Sequence, residues 1–328
     1  METKRPTNPA AEEILGGYFP VLDHGFVSLV DYMGSDDSVE RAARVSYGYG
    51  TRHTSATRGL IRYLRRHKHT TPSEMVELKF HCAMPMFVAR QWIRHRTASV
   101  NEYSGRYSLM PLLFYSPPKD QFSLQSPTNN QGRGDVASDA QYAEATRRWD
   151  EIRSRAAEAY TWMVEEDLAR ELARIDLPMS TYTQWYWKVD LHNLLHFLTL
   201  RVDPHAQWEI RAYAEVMAGM VKRVAPLSYE AWVDYDLTGR PLSGGEREAL
   251  ARLILTEADG TLRARDGAAV SPDEMEGCGL SKREARELAD KLVAPGKPDF
   301  ELDLSGMREA EVMAGEMAKA VPKIDRQD

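Results

Sequence analysis

An alternating segment places the strongest constraint on how this chain can fold. From Val76 to Cys82, in VELKFHC, apolar and polar residues alternate, which is the two-residue period of a strand buried on one face. GFVSLVDYM, residues 25–33, is a second candidate strand. Because a half-buried strand needs hydrogen-bonded neighbours, the chain must contain a sheet with one face against a core.

Helical spacing dominates the rest of the first 240 residues. It predicts helices over 39–69, MFVARQWIRHR (86–96), about 137–174, LHNLLHFLTLR (191–201) and AQWEIRAYAEVMAGMVKR (206–223). The polar stretch 118–139 is predicted to be a mobile loop. We therefore expect an α+β fold, with a twisted, mainly antiparallel sheet flanked by several long helices.

The distribution of aromatic residues predicts a domain boundary. Of thirty aromatic residues, twenty-nine precede residue 240, and only Phe300 follows it. A segment so poor in large apolar side chains is a weak core-former. We predict a large catalytic domain over 1–239 and a charged, helical C-terminal extension over 240–328, with Ser281 capping one of its helices. The extension is expected to be separate from the active site.

Composition narrows the setting in which the chain works. The N-terminal segment METKRPTNPAAEEIL shows neither an apolar signal-peptide core nor an Arg-rich transit pattern, and no apolar run approaches the length of a membrane span. We expect a cytoplasmic protein. Cys82 and Cys278 are isolated, so they predict neither a disulfide framework nor a Cys-based metal site. Cys82 is expected to be a small buried group.

Positive charge is concentrated in one segment of an acidic chain. The net charge is -7, yet residues 41–106 hold thirteen Lys/Arg against three Asp/Glu. Such a segment favours an anionic ligand. One reading is nucleic-acid binding, with RYLRRHKH (62–69) and RHR contacting phosphates while nearby tyrosines or Trp92 stack on bases.

The richest concentration of hydrogen-bonding groups is RHRTASVNEYSGR, residues 94–106. Its arginines can grip phosphate oxygens through two nitrogens, and its hydroxyl, amide and main-chain groups can read a base or a flavin edge. Helical spacing in the preceding segment places Phe87, Gln91 and Arg94 on one face. The motif then leaves the helix, and such junctions are common ligand sites.

This motif resembles the pattern RHRxxSxNxxSxR of the flavin-dependent thymidylate synthases at every defined position. The surrounding segments HTTPSE (69–74), ARIDLP (173–178) and WYWKVDLHNLLHFLTLRVDPHAQWEIR (185–211) are similar to that family as well. The resemblance spans about residues 20–235. It implies methylation of dUMP to dTMP, with methylenetetrahydrofolate as carbon donor and NADPH, acting through FAD, as reductant. It also implies a homotetramer whose sites are shared between subunits.

The resemblance assigns roles residue by residue. Arg201 would be the catalytic activator, a fixed cation that stabilises negative charge developing on uracil. Its alternative role is to satisfy carbonyls at the end of its helix. Ser104 is expected to bind nucleotide, and no His/Asp arrangement supports it as a nucleophile. The implied dUMP contacts are Gln91, Trp92, Ile93, Arg94, Glu102, Tyr103, Ser104, Gly105, Arg106, Arg174 and Arg201.

A second set is implied for FAD. It comprises Thr71, Arg94, His95, Arg96, Glu102, Asp190, Leu191, His192 and His196, with His69 as a further candidate. Asparagine is frequent in the family at the positions of Asp190 and His196. Those two, with His192, also permit a metal hypothesis, but the HExxH base is missing and we predict no metal site. A flavoenzyme that methylates uracil within RNA is a remaining alternative, which turnover of free dUMP would distinguish.

Overall fold

The computed structural model describes residues 6–45, 57–127 and 132–323. Its strands are β1 Tyr18–Val21, β2 Gly25–Met33, β3 Glu77–Pro85, β4 Ser99–Glu102, β5 Ser123–Gln125, β6 Arg133–Val136, β7 Tyr182–Asp190, β8 Ile254–Thr256 and β9 Leu262–Ala264. Its α-helices are α1 Pro9–Glu12, α2 Asp36–Val45, α3 Thr57–Arg66, α4 Thr71–Glu74, α5 Met86–Trp92, α6 Asp139–Glu165, α7 Arg170–Ala173, α8 Leu191–Arg201, α9 Trp208–Val224, α10 Pro226–Trp232, α11 Gly244–Leu253, α12 Pro272–Glu276, α13 Lys282–Leu292 and α14 Ala310–Lys319. Short 3₁₀ turns cover Lys119–Gln121 and Leu304–Gly306, and a π-helical turn covers Val233–Leu237.

The main sheet has the strand order β1-β2-β3-β7-β4, and every pairing in it is antiparallel. This confirms the predicted α+β class. The two strands predicted from sequence, β2 and β3, are adjacent, and β7 lies on the other side of β3 with Phe80 opposite Trp187. The exposed strand β4, which carries part of the motif, forms the edge next to β7.

Helices α8 and α9 complete the core against one face of the sheet. Leu194, Leu195 and Phe197 of α8 are buried, as are Ile210 and Tyr213 of α9. The Tyr213 hydroxyl donates to the carbonyl of Ala83, 2.8 Å away, and thereby ties α9 to β3. The buried residues recur at helical spacing, which is the pattern that predicted both helices.

Three sequence expectations differ from the structure. The helix predicted over 86–96 ends at Trp92, and the helix predicted over 137–174 is interrupted between α6 and α7. The segment 118–139, expected to be a mobile loop, contains the β5–β6 hairpin. The helical prediction for 39–69 holds for α2 and α3, while residues 46–56 lie outside the described part.

Two compact units divide the chain. The first joins the described residues of Met1–Glu230 with those of Phe300–Asp328, and the second is Ala231–Asp299. The second unit contains α11, α12 and α13 around the buried Ala249, Cys278 and Leu288, and Ser281 caps α13 through the expected bond to a helix-start amide.

The predicted boundary after Gly239 therefore does not coincide with these units. Residues from Phe300 onward pack against the first unit: a side chain on Gly219 would lie 3.3 Å from Leu302, and Met313 packs with Phe26 and Ala83. The low aromatic content of this segment gave no indication that it packs with the first 230 residues, because methionine and leucine supply the contacts. No helix among residues 6–45, 57–127 and 132–323 is long and apolar enough to cross a membrane.

Candidate active site

Helix α5 carries Gln91 to the start of the motif and ends there. It begins after Pro85 and ends at Trp92, where the amide of His95 donates to the Trp92 carbonyl at 3.0 Å. Arg94 consequently lies beyond the helix, so the predicted shared helical face of Phe87, Gln91 and Arg94 is wrong for Arg94. The turn exposes Ile93, Arg94 and Arg96 while it half-buries His95.

The Trp92 side chain is a structural element of the core. It is fully buried, stacks on Phe197 and meets the edges of Trp185 and Trp187. A contact between its indole and dUMP does not fit this position, which leaves only its main chain for the predicted role. A buried aromatic cluster therefore holds Trp92 in place just before the motif.

Arg201 and His95 form the best-defined polar contact among the predicted residues. Arg201 is the last residue of α8, and its Nε donates to Nε2 of His95 at 3.1 Å. Within the described chain its terminal guanidinium nitrogens make no hydrogen bond, so they do not cap helix carbonyls. Burial and the neighbouring Arg94 lower the pKa of Arg201, although the guanidinium remains a cation.

His95 is held neutral by the same surroundings. Burial first, and then the charge of Arg201 and the proximity of His196, lower its pKa to about 4. A neutral imidazole can accept the Arg201 bond at Nε2 while it keeps its proton on Nδ1. The pair therefore fixes the direction in which Arg201 presents its charge.

A second group of predicted residues lies around Gly105. A side chain at Gly105 would approach Sδ of Met110 to 2.7 Å and Cδ of Arg174 to 3.1 Å, so Met110 and Arg174 would have to shift to admit one. The main-chain amide of Arg106 donates to the Ser104 hydroxyl at 3.3 Å, and its side chain pairs with Glu171 at 2.9 Å. Helix α7 thus brings Arg174 next to the motif loop.

Three arginines of these groups have uncompensated charges. Within the described residues, Arg94, Arg96 and Arg174 have no carboxylate partner at ion-pair distance. All three side chains are exposed, and a guanidinium without a carboxylate partner is available to bind an anion such as phosphate. The arrangement therefore supports a site for an anionic ligand.

Glu102 and Tyr103 are engaged within the protein. Glu102, at the end of β4, accepts from the Thr183 hydroxyl at 2.8 Å. The Tyr103 amide donates to the Gln184 carbonyl at 2.8 Å, and its hydroxyl donates to Leu109. Tyr103 also lines a cavity of about 260 Å³ that α14 helps to close with Met313 and Met317. A dUMP contact through the hydroxyl or the amide of Tyr103 would have to share a group that is already hydrogen-bonded.

Part of the set predicted for FAD, Thr71 with Asp190, Leu191 and His192, lies where α4 meets the start of α8. Thr71 is exposed at the beginning of α4, and the Leu191 amide donates to the Val76 carbonyl just after that helix. Leu191 itself is fully buried. Asp190 caps α8 by accepting from the main-chain and side-chain nitrogens of Asn193, at 2.9 and 2.7 Å. Its role in the fold is therefore independent of any ligand.

His192 supplies an observation that fits a flavin nucleotide. Its Nδ1 is buried and has no hydrogen-bond partner, a state that folded proteins rarely tolerate. Burial and then Arg65 lower its pKa, so the imidazole is neutral at neutral pH. An unsatisfied nitrogen beside an arginine suits a ligand that carries both hydrogen-bonding groups and phosphates.

The predicted residues form two sets in one chain. His196 lies 6.2 Å from His95, ring to ring, and its proximity also lowers the pKa of His192, so it links Arg201 to the FAD set. Ser104, Gly105, Arg106 and Arg174 form the other set. In the described part of the chain, no hydrogen bond or ion pair joins the two sets.

The thiol of Cys82 is remote from this chemistry. It is fully buried in β3, and burial raises its pKa well above the ordinary value, which confirms the expected buried thiol. Across residues 6–45, 57–127 and 132–323, no group of three or more His, Cys, Asp or Glu side chains could hold a metal ion.

Sequence reasoning missed a network next to Gln91. The Gln91 side chain donates to Gln207, and Gln207 Nε2 donates to Glu209 at 2.9 Å. Glu209 is buried at the start of α9 and is contacted by Arg133 and Tyr115. A glutamate between Trp208 and Ile210 in an apolar helix face was the available signal.

The chain is similar to known proteins in sequence and in structure. The family model described as "Thymidylate synthase complementing protein" matches residues 28–227. The chain is 50% identical over 293 residues to a flavin-dependent thymidylate synthase of Ehrlichia ruminantium (strain Gardel), covering 89% of this chain and 93% of the relative. It is 50% identical over 297 residues to one of Gluconobacter oxydans (strain 621H), covering 88% and 92%.

A solved structure is also similar. It is the UMP/dUMP methylase PolB from Streptomyces cacaoi bound with 5-Br UMP, with 34% sequence identity, a TM-score of 0.61, and coverage of 67% of this chain and 98% of that chain. The family model ends at residue 227, but coverage of 89% by the Ehrlichia relative requires that the similarity continue well past residue 239.

Proposed function

The chain belongs to the thymidylate synthase complementing protein family, the flavin-dependent thymidylate synthases, and on that premise we propose that it methylates dUMP to dTMP. Methylenetetrahydrofolate is the carbon donor, and NADPH, acting through FAD, is the reductant. The observation that carries the proposal is the 50% identity to flavin-dependent thymidylate synthases over about nine tenths of the chain. The unpaired arginines around the motif support a site for the nucleotide's phosphate.

Arg201 is the residue we assign to activation of dUMP. Its Nε is held by His95, and its terminal nitrogens are available within the described chain. A cation fixed in a partly buried position stabilises negative charge that develops on the uracil ring, and it needs no reorganisation to do so. His95 serves this step by remaining neutral, because a protonated imidazole would repel the guanidinium instead of accepting its bond.

The remaining predicted dUMP contacts divide by chemistry. Arg94 and Arg174, whose charges are uncompensated within the described residues, would bind the phosphate, since guanidinium forks match phosphate oxygens. Ser104 and the main chain at Gly105 would bind through hydrogen bonds. Ile93 and Trp92 would contribute main-chain contacts only, because the Trp92 indole lies in the core.

FAD would be held by the set that includes Thr71, His192 and His196. When it is bound, FAD supplies the hydride chemistry that amino-acid side chains cannot provide. The orphaned Nδ1 of His192 would gain a hydrogen-bond partner, and Arg65, which acts on that imidazole, would lie near an anionic group. Arg94, His95, Arg96, Glu102, Asp190 and Leu191 stay part of the proposed contact set.

We propose that the sites are shared between subunits of a homotetramer. Within the described residues no hydrogen bond or ion pair joins Arg174 and Gly105 to Arg201 and His95, and this division supports a site that a second copy completes. Large apolar side chains are exposed beside these residues: Tyr107 is 80% exposed, Leu172 59% and Ile175 67%. Exposed apolar groups of this kind are characteristic of interfaces. A cytoplasmic location also remains our prediction.

The test is turnover by the purified, FAD-loaded protein. NADPH oxidation is followed with methylenetetrahydrofolate, with and without dUMP, and dTMP is quantified by chromatography. We expect a yellow protein that forms dTMP only when dUMP is present. A colourless protein that binds RNA but yields no dTMP would contradict the proposal. UMP is assayed in parallel, because the PolB neighbour is a UMP/dUMP methylase.

A further inference from the structure

The hydrogen bonds that join Gln91 through Gln207 to Glu209 have one fixed donor-to-acceptor direction. Glu209 is 3% exposed, and Nη2 of Arg133 lies 2.6 and 2.7 Å from its two oxygens. The Tyr115 hydroxyl donates to Oε1 at 3.0 Å, and burial first, and then the neighbouring carboxylate, raises the pKa of Tyr115. An ionised carboxylate can only accept hydrogen bonds.

The carboxylate of Glu209 determines how the side-chain amide of Gln207 is oriented. Because Glu209 accepts only, Gln207 must direct its amide nitrogen toward it, as the 2.9 Å contact from Nε2 to Oε2 shows. The carbonyl oxygen of Gln207 then points the other way, where it accepts from Nε2 of Gln91. Gln91 is left with its own carbonyl oxygen, which has no hydrogen-bond partner within the described residues.

We propose that Glu209, acting through Gln207, is a positioning residue that fixes the Gln91 amide so that its carbonyl oxygen accepts a hydrogen bond from dUMP. The inference rests on the proposed function, since it takes Gln91 as a dUMP contact. Without the relay, the Gln91 amide could rotate by half a turn and present a donor instead of an acceptor. Nucleotide affinity would then fall because the donor of dUMP would face another donor.

Two donors of dUMP have the required chemistry, namely the uracil N3–H and the 3′-hydroxyl of the sugar. Both are satisfied by a carbonyl oxygen, so the structure assigns the shared role of acceptor to Gln91. Binding of 2′,3′-dideoxy-UMP, which lacks the 3′-hydroxyl, separates them. If the relay variants weaken dUMP and the dideoxy analogue equally, the partner is N3–H; if they weaken dUMP alone, it is the 3′-hydroxyl.

The principal variant is Gln207→Met, because Gln207 is exposed and methionine preserves length without polar atoms. The full-length, FAD-loaded protein is used, and dUMP affinity is measured by calorimetry alongside KM and kcat. We expect Kd and KM for dUMP to rise about tenfold, the loss expected for one mis-set hydrogen bond, with FAD content unchanged and kcat within about threefold. Glu209→Gln should also raise Kd and KM for dUMP, because an amide can both donate and accept and therefore no longer fixes the orientation of the Gln207 amide.

A double variant decides whether the effect acts through Gln91. In a Gln91→Ala background, Gln207→Met should change Kd less than about twofold, since the residue it positions is absent. Glu215→Gln, on the same helix and paired with Arg211 at 3.4 Å, is the matched control and should leave both constants unchanged. An equal tenfold loss in the Gln91→Ala background, or an unchanged Kd in Gln207→Met, overturns the relay. Wild-type protein that binds dUMP but forms no dTMP overturns the proposed function alone, because the affinities still test the relay.

Discussion

Two groups of arginines in this molecule have opposite surroundings. On the exposed helix α6, Arg147 is held by Glu144 at 2.9 Å and by Glu151, and Arg148 is held by Glu144 at 2.7 Å. These bonds lower the pKa of Glu144 to about 2. Around the motif, Arg94 and Arg174 have no carboxylate partner in the described residues. Burial, and then the positive charge of Arg94, lowers the pKa of Arg201.

The contrast separates charges that suit solvent from charges that suit a ligand. Pairs one helical turn apart on a surface contribute little stability, because water already screens them. A guanidinium without a carboxylate partner is available to pair with an anionic ligand. The positions of the unpaired arginines, more than their number, therefore support the proposed nucleotide site.

The largest expected effect is that of Arg201→Ala. Removal of one fixed cation from a partly buried site should cost about 2 to 4 kcal/mol of transition-state stabilisation, while FAD is retained. Single-turnover dTMP formation at saturating dUMP measures it. Arg201→Lys should recover little, because a point charge lacks the guanidinium plane and the Nε–H that His95 accepts. Near-normal turnover in Arg201→Ala would show that this arginine is not the activator.

Arg174→Ala should have the next largest effect, and on binding more than on chemistry. Loss of a charge-assisted hydrogen bond to phosphate costs about 1.5 to 3 kcal/mol, which corresponds to a rise in KM for dUMP of about 10- to 100-fold. Saturating dUMP should restore most of kcat. An unchanged KM would show that Arg174, like the surface arginines of α6, does not bind the nucleotide. The contrast between the two groups of arginines would then not hold.

Acid stability should distinguish the two regions by the pH range over which the His95 imidazole and the Glu144 carboxyl each lower the stability of the fold. Folded His95 has a pKa of about 4 against an ordinary 6.5, so the unfolded chain takes up its proton first and stability falls as pH decreases from 6.5 to 4. Glu144 has a pKa of about 2 against 4.5, so the stability from its pairs is present above pH 4.5 and is lost between 4.5 and 2.

Urea denaturation at a series of pH values measures this difference. His95→Gln should flatten the dependence between pH 6.5 and 4, and Glu144→Gln should flatten it only below 4.5. If both variants flatten the same window, the imidazole and the carboxylate are not in the contrasting environments described.

The smallest effect is expected for Arg148→Ala. Within the described residues its ion pair with Glu144 lies in solvent, and such pairs contribute little to stability. Thermal unfolding should shift by no more than about a degree or two, and dUMP turnover should not change. A loss of turnover comparable to that of Arg174→Ala would mean that α6 takes part in the site.

The sequence by itself determined the elements whose pattern is local. The strand over 25–33 was predicted to the residue as β2, α8 was predicted over 191–201 as found, and the cap at Ser281 followed from its position before a helical segment. The family motif predicted the reaction, which the comparisons support. These features depend on residues within about four positions of each other, where side-chain periodicity is informative.

Only the tertiary structure decided which distant residues meet. It showed that α5 ends at Trp92, whose indole packs with Trp187 and Phe197, and it placed β4 beside β7. It joined Gln91 to a buried carboxylate 118 positions later, and Arg201 to His95 across 106 positions. Contacts of this kind depend on how sheet and helices pack in three dimensions, and the local pattern of a single sequence carries no record of that packing.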